Sequence, residues 1–271
     1  MVAQLGTAAA LPLLKAHIGV RMADHHKVVS HDQWLDARKS LLAKEKQFTR
    51  LREELSQERR ELPWEAVSKN YVFEGPNGKQ SLSELFDGRS QLIVYHFMFG
   101  PGWDAGCEHC SFWADSFNEV IVHLNQRDVT MIAVSHAPYS KLAAYKKRMG
   151  WNFKWVSSNS ADFNFDYQAS FTREEIAGKK ALYNFVVQDP GISEREGISV
   201  FFKDESRHLF HTYSTYARGI DIVNTAYNYL DLVPKGRDEQ GRGQYWVRRH
   251  DEYAAGLATK TIYAGLLENK D

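Results

Sequence analysis

The run Leu92-Ile93-Val94-Tyr95-His96-Phe97-Met98-Phe99 is almost continuously apolar. It is too short for an ordinary helix and rich in β-forming side chains, so it predicts a central strand buried on both faces. The strand gives way to Gly100-Pro101-Gly102-Trp103-Asp104-Ala105-Gly106, a flexible turn. The chain's two cysteines follow directly, as Cys107-Glu108-His109-Cys110. Beyond them Phe112, Trp113, Phe117, Val120, Ile121 and Leu124 recur at helical spacing. Cys107 is thereby placed at the first turn of a helix, where unpaired N–H groups and the helix dipole favour thiolate over thiol. Cys110, about one turn later, is within reach of a disulfide with Cys107.

This arrangement predicts a dithiol–disulfide couple, with Cys107 as the attacking thiolate and Cys110 as the resolving thiol. The residues between them tune the couple. A protonated His109 would stabilise the thiolate, and Glu108 would act in the opposite sense. Trp103 and Trp113 flank the pair, as an apolar lid or as packing. His96, inside the strand, is either a neutral core histidine or a proton relay to the dithiol. A C-x-x-C pair is also half of a zinc site, but zinc needs four ligands. His109, His96, His136, His208 and His211 are the candidates to complete one. The expectation is no metal and no cofactor. Three other readings stay open: a peroxide reductase with a Cys107 sulfenic acid resolved by Cys110, a metal-binding chaperone or sensor, and a structural protein retaining a redox fold.

The 271 residues carry 34 basic and 34 acidic side chains, so no net field attracts nucleic acid or an anionic membrane. Two cysteines cannot form a structural disulfide framework, and a C-x-x-C at a strand–helix junction points to the cytoplasm. No run approaches the roughly 18 apolar residues of a membrane span. Residues 1–28 read as an N-terminal extension, without the leading basic residues of a secretory signal. Ser30-His31-Asp32-Gln33 forms a capping box before a long amphipathic helix over residues 29–63. Its stripe of Trp34, Leu41, Phe48 and Leu55 serves as a packed arm or as a homodimer contact.

Residues 64–234 read as the main domain. Tyr71-Val72-Phe73 predicts a strand and Gly75-Pro76-Asn77-Gly78 a turn, with a short helical segment over 81–86. Val129 to Ser135 and Lys154 to Val156 predict further strands, with a helix over 140–149 between them. A long irregular stretch precedes a hairpin, 198–203 with 209–215, and a closing helix over 219–230. The alternation predicts an α/β fold: a mixed central sheet with helices on both faces. Residues 235–271 read as a tail packed on the domain.

From residue 25 to 255 the chain resembles the thioredoxin-like bacterial family catalogued as domain of unknown function 899. The resemblance is carried by Lys27-Val28-Val29-Ser30, Leu62-Pro63-Trp64, residues 71–76, residues 91–101 and Gly106-Cys107. Residues 110–115, 145–151, 155–158, 212–219 and 246–253 continue it. It implies a thioredoxin fold with an N-terminal helical extension and a dithiol–disulfide oxidoreductase activity. The implied partners are a thiol or disulfide substrate, protein or small molecule, and a separate reductant. Residues 1–21 lie outside the resemblance, which points to an alternative start at Met22. One departure stands out. Thioredoxins carry a cis-proline opposite the dithiol, and here Gly197-Ile198-Ser199-Val200 occupies that stretch. Ser199 therefore implies a trans bond, because a non-proline cis bond costs about 2.5–4 kcal/mol. Its hydroxyl is expected to contact Cys107.

Overall fold

A computed structural model describes residues 26–253, so the expectations about residues 1–21 and the last part of the tail lie outside the described residues. Two compact units divide between Glu58 and Arg59. The first is most of helix α1 (His31–Glu61). Its capping box forms as the sequence predicts. Gln33 N–H donates to Ser30 Oγ at 3.3 Å, and Ser30 N–H donates to Gln33 Oε1 at 3.2 Å. The helix stops two residues short of Pro63, and none of its residues is buried.

The second unit is built on β4 (Gln91–His96). Parallel strands β5 (Val129–Ser135) and β6 (Lys154–Ser157) lie on one side of it. On the other side the hairpin β9 (Gly197–Lys203) and β10 (Leu209–Tyr216) runs antiparallel to it. Strand β1 (Glu65–Ala66) extends the β10 edge, and the hairpin β2 (Val72–Gly75) and β3 (Gly78–Ser81) extends the β6 edge. The eight strands run in the order β1-β10-β9-β4-β5-β6-β2-β3. This is the expected mixed α/β sheet with helices on both faces. A separate two-stranded ribbon, β7 (Ala181–Tyr183) with β8 (Val186–Gln188), occupies the stretch expected to be irregular, together with the short helices α5 (Phe163–Asp166) and α6 (Arg173–Gly178).

The two faces of the sheet hold different cores. Along β4, successive side chains alternate between them. Tyr95 joins Phe97, Ile198 and Ala133 in a front core that receives α2 (Glu108–Ala114), α3 (Phe117–Asn125), α4 (Tyr139–Arg148) and α7 (Thr225–Leu230). Leu92 and Val94 join Phe73, Phe86, Phe163 and Phe201 in a back core closed by a 3-10 turn (Leu82–Phe86) and α5. Trp155 anchors the front, with its ring 4.6 Å from Phe97 and 5.9 Å from Trp151, and its indole N–H on Ser135 Oγ at 3.0 Å.

Two expected helices are broken. The one after the cysteines ends at Ala114, and a new helix starts at Phe117. Ser116 Oγ donates to Trp113 O at 2.8 Å, and Trp151 Nε1 donates to Asp115 Oδ1 at 2.8 Å, fixing the break. The closing helix over 219–230 becomes a 3-10 segment (Ala217–Val223) followed by α7. Asn224 caps α7 through Oδ1, which accepts from Tyr227 N–H at 2.9 Å.

His96 faces the back core. Its ring stacks on Phe163 at 5.6 Å and Tyr167 at 6.4 Å, and Nε2 shares a 2.9 Å hydrogen bond with Ser199 Oγ. Ser199 in turn bonds Ser214 at 2.9 Å, and Ser214 bonds His211 Nε2 at 2.7 Å. Burial pushes the His96 pKa down to about 4, with nearby Asn164 opposing and His211 assisting.

Two predictions follow from this packing. Trp155→Ala should cost about 3–5 kcal/mol, read as a lowered urea midpoint with an unchanged slope. The second concerns pH. An unfolded His96 binds a proton near pH 6.5, whereas the folded one stays neutral until about 4. Stability is therefore present above pH 6.5 and is lost as pH falls from 6.5 towards 4, by up to about 3 kcal/mol. His96→Gln, measured against wild type by urea unfolding across that window, should show a correspondingly flatter dependence.

Candidate active site

The strand–turn–helix reading of the cysteine segment is what the structure holds. Strand β4 ends at His96, and the chain crosses Gly100–Gly106 to reach α2. Cys107 occupies the N-cap position, with extended φ −55° and ψ 132°. Its sulfur lies at the helix end, near the backbone N–H of Cys110. Cys107 is half-buried, Cys110 is buried, and both are free thiols.

Met98 holds both cysteines. Its carbonyl accepts from Cys107 N–H at 3.0 Å, and its own N–H points at Cys110 Sγ at 3.4 Å. Behind Cys107 a second set of bonds fixes the turn. Ser111 N–H and Oγ both donate to Cys107 O, at 3.0 and 2.8 Å. The Ser111 hydroxyl also bonds Tyr145 Oη at 2.9 Å. Arg249, from the C-terminal segment, donates to Tyr145 Oη at 2.9 Å and to Gly106 O through Nη2 at 2.7 Å. Gly106 must be glycine here, because a Cβ would lie 2.7 Å from the Phe97 ring and 2.9 Å from that of Tyr145.

The two thiols are electrostatically unequal. Cys107 is held well below the ordinary thiol range. The Cys110 thiol contributes most to this by hydrogen bonding, burial opposes it, and His109 and the Cys110 backbone N–H assist. Cys110 is pushed well above the ordinary range, first by burial and then by the neighbouring Cys107. His109, beside Cys107, is raised by its hydrogen bond to that sulfur, against the effect of burial. Glu108 reaches His109 Nε2 only at 3.9 Å, so it supports the imidazolium and does not set the thiol directly.

The remaining sequence candidates are placed differently. Trp103 packs into the front core near Cys107. Its position is fixed by Lys141 Nζ, which donates to Trp103 O at 2.8 Å and Pro101 O at 2.9 Å. His96 is no proton relay to the dithiol: the pleat turns it to the back face, away from the cysteines. Ser199 does not contact Cys107 for the same reason, and its hydroxyl is taken up by His96 and Ser214. Every peptide bond among the described residues is trans, as expected at Ser199. The histidines that would complete a zinc site do not converge. His136 pairs with Glu194, His208 with Asp204 and His211 with Glu65. Among the described residues no group of three or more His, Cys, Asp or Glu side chains has a metal-binding arrangement.

Sequence reasoning missed Tyr95 as a site residue. Its ring is fully buried, and the neighbour of its hydroxyl is the Cys110 sulfur. Burial, with Cys110 adding to it, pushes the Tyr95 pKa well above the phenolic range, so the hydroxyl keeps its proton. Tyr95, Cys110 and His109 line a cavity of about 250 Å³, whose other walls include Arg195, Glu196 and Trp113. Alternation along β4 was the available signal for Tyr95. No short-range pattern marks Arg195, Glu196 or Arg249.

Comparisons with known proteins bear on this geometry at two levels. Among solved structures, peroxidoxin BcpB from Mycobacterium tuberculosis is similar at 11% identity and a TM-score of 0.41, covering 60% of this chain and 93% of that one. The Xanthomonas campestris bacterioferritin comigratory protein is similar at 9% identity and 0.41, covering 60% and 94%. The mitochondrial 2-Cys peroxiredoxin from Plasmodium falciparum is similar at 15% identity and 0.37, covering 62% and 92%. No curated protein matches the sequence. Residues 23–253, which contain every element described above, match one family throughout, and the chain belongs to that family, described as bacterial protein of unknown function (DUF899).

Proposed function

We propose that the protein is a thiol–disulfide oxidoreductase that cycles Cys107 and Cys110 between dithiol and disulfide. The observation that carries this reading is the inequality of two adjacent, unbonded thiols. Cys107 is partly exposed at a helix N-cap and biased to thiolate, and Cys110 is buried and biased to thiol. That is the division of labour a two-step exchange needs. The Cys107 thiolate attacks one sulfur of a substrate disulfide, and the other half leaves as a thiolate. Cys110 then displaces the half held on Cys107 and passes its proton to the leaving sulfur. The chain is left oxidised, and a separate dithiol reductant returns it to the starting state. The expected partners are thus a disulfide substrate and a thiol reductant, and no metal takes part in either step.

The decisive measurement is a redox titration of purified protein in glutathione buffers, with alkylation and mass analysis of Cys107 and Cys110. A reversible two-electron transition confined to this pair is expected. Thiols that never pair across the accessible range of potentials would remove the reading. Hydrogen peroxide turnover in the presence of a thiol reductant should be slow beside disulfide exchange, and the reverse order would favour a peroxide reductase.

His109→Ala should raise the pKa of Cys107, because it removes a group that hydrogen-bonds the thiolate. The alkylation rate at neutral pH should fall several-fold, and the thiolate ultraviolet absorbance should titrate at higher pH. An unchanged titration would reduce His109 to a spacer.

A further inference from the structure

We propose that the cavity beside Cys110 is a binding site for one half of a small zwitterionic disulfide, an amino-acid disulfide of the cystine type. The inference rests on the oxidoreductase reading and names the substrate class of that site.

Size is the first constraint. Pockets for drug-sized ligands run from roughly 300 to 1,000 Å³. A cavity of about 250 Å³ matches one amino-acid-sized group. Its apolar walls, Met98, Trp113 and Ile220, suit a methylene next to sulfur.

Charge is the second constraint. Arg218 and Asp221, at one side of the cavity, pair with each other at 2.7 Å, and Arg237 adds to that pair at 3.1 Å. Arg195 and Glu196 are different. Arg195 Nε donates to Pro190 O at 2.9 Å and its guanidinium lies 5.7 Å over the Tyr183 ring, but no carboxylate pairs with it among the described residues. Glu196 accepts only a long 3.4 Å bond from Tyr183 Oη and has no basic partner among them. Both are half-buried cavity residues. Burying charges without partners is costly. A ligand that carries one carboxylate and one ammonium offsets both costs together, and a neutral or singly charged ligand cannot.

The third constraint is the Tyr95 hydroxyl beside Cys110. It is fully buried, it forms part of the cavity wall, and it holds its proton. It faces the Cys110 sulfur, so it donates to the negative charge that develops there during the exchange. With the amino-acid half seated between Arg195 and Glu196, its sulfur meets the wall formed by His109 and Cys110, the two residues that hydrogen-bond the Cys107 sulfur. Cys107 attacks that sulfur, the S–S bond breaks, and the outer half departs as a thiolate. Cys110 then forms the intramolecular disulfide, and its proton goes to the seated half, which leaves as a thiol. One disulfide is reduced to two thiols, and the Cys107–Cys110 disulfide formed is reduced again by a dithiol.

Four disulfides of graded charge test the proposal: cystine, dithiodipropionate with carboxylates only, cystamine with ammonium groups only, and the neutral hydroxyethyl disulfide. Oxidation of the reduced full-length protein is followed by quenched alkylation. Each rate is divided by the rate of the same disulfide with free dithiothreitol, which removes intrinsic reactivity. The normalised rate for cystine should exceed that for hydroxyethyl disulfide by about tenfold or more, and should saturate with concentration. Arg195→Met should lower the cystine and dithiodipropionate rates by about tenfold and the cystamine rate by much less, with folding checked separately by its urea midpoint. Equal normalised rates for all four, or an Arg195→Met loss shared by cystamine, would overturn the zwitterion site while the dithiol couple stands. No Cys107–Cys110 disulfide with any of the four, nor in oxidised dithiothreitol, would overturn the couple and the site together.

Discussion

Both backbone groups of Met98 are committed to the cysteine pair, and the geometry around the dithiol depends on that. The Met98 carbonyl draws in the amide of Cys107, and the Met98 amide faces the sulfur of Cys110. One peptide segment at the end of the central strand thereby sets where α2 begins and how far apart its first turn holds the thiols. The same contact accounts for part of their inequality. The Met98 N–H favours charge on Cys110, but burial and the neighbouring Cys107 outweigh it, so the negative charge resides on Cys107. A strand at either edge of the sheet would lack a neighbour on one side to hold its end. Here β5 and β9 pair with β4 along its whole length, from Gln91 to His96.

The strand also separates two chemistries that the sequence places side by side. Tyr95 and His96 are consecutive, yet one reaches the dithiol and the other a buried chain of hydroxyl and imidazole groups on the back face. The back-face chain runs from His96 through Ser199 and Ser214 to His211, which meets Glu65 at 3.1 Å. It ties β4, β9, β10 and β1 together with directional bonds inside an otherwise apolar layer. Such bonds specify register, since a one-residue slip would turn every one of these groups to the wrong face.

Much of this was legible in the sequence because it rests on local patterns. The apolar runs of β4 and β5, the C-x-x-C after a glycine-rich turn and the Ser30 capping box each carry their signal within about ten residues. The hairpin β9–β10 carries its turn signal locally too, in the polar Asp204-Glu205-Ser206 between its strands. What escaped depends on distant partners. The break between α2 and α3 is fixed by Trp151 bonding Asp115, and the break at Asn224 interrupts a segment whose apolar spacing runs through it. Strand β3, Gly78–Ser81, is short and polar, and it exists because it pairs with β2. For His96 the sequence left two roles open, and the pleat decided between them. Ser199 was assigned by analogy with a residue that faces the dithiol in thioredoxins, whereas here its side chain points through the sheet. Tyr95, Arg195, Glu196 and Arg249 come from three separate parts of the chain, and only the folded unit brings them to the cysteines.

Arg249 stands 143 residues beyond Gly106, whose carbonyl it grips. Synthesis runs from the N-terminus, so the two cysteines leave the ribosome well before the guanidinium that fastens the turn in front of them. Until residue 249 has been made, the segment at Cys107 lacks one of its two clamps and the Tyr145 hydroxyl lacks the hydrogen bond from Arg249. The maturation of the thiol pair is thus coupled to the completion of the polypeptide. A chain cut short within its last described segment would carry both cysteines but not the full set of bonds that shapes their reactivity.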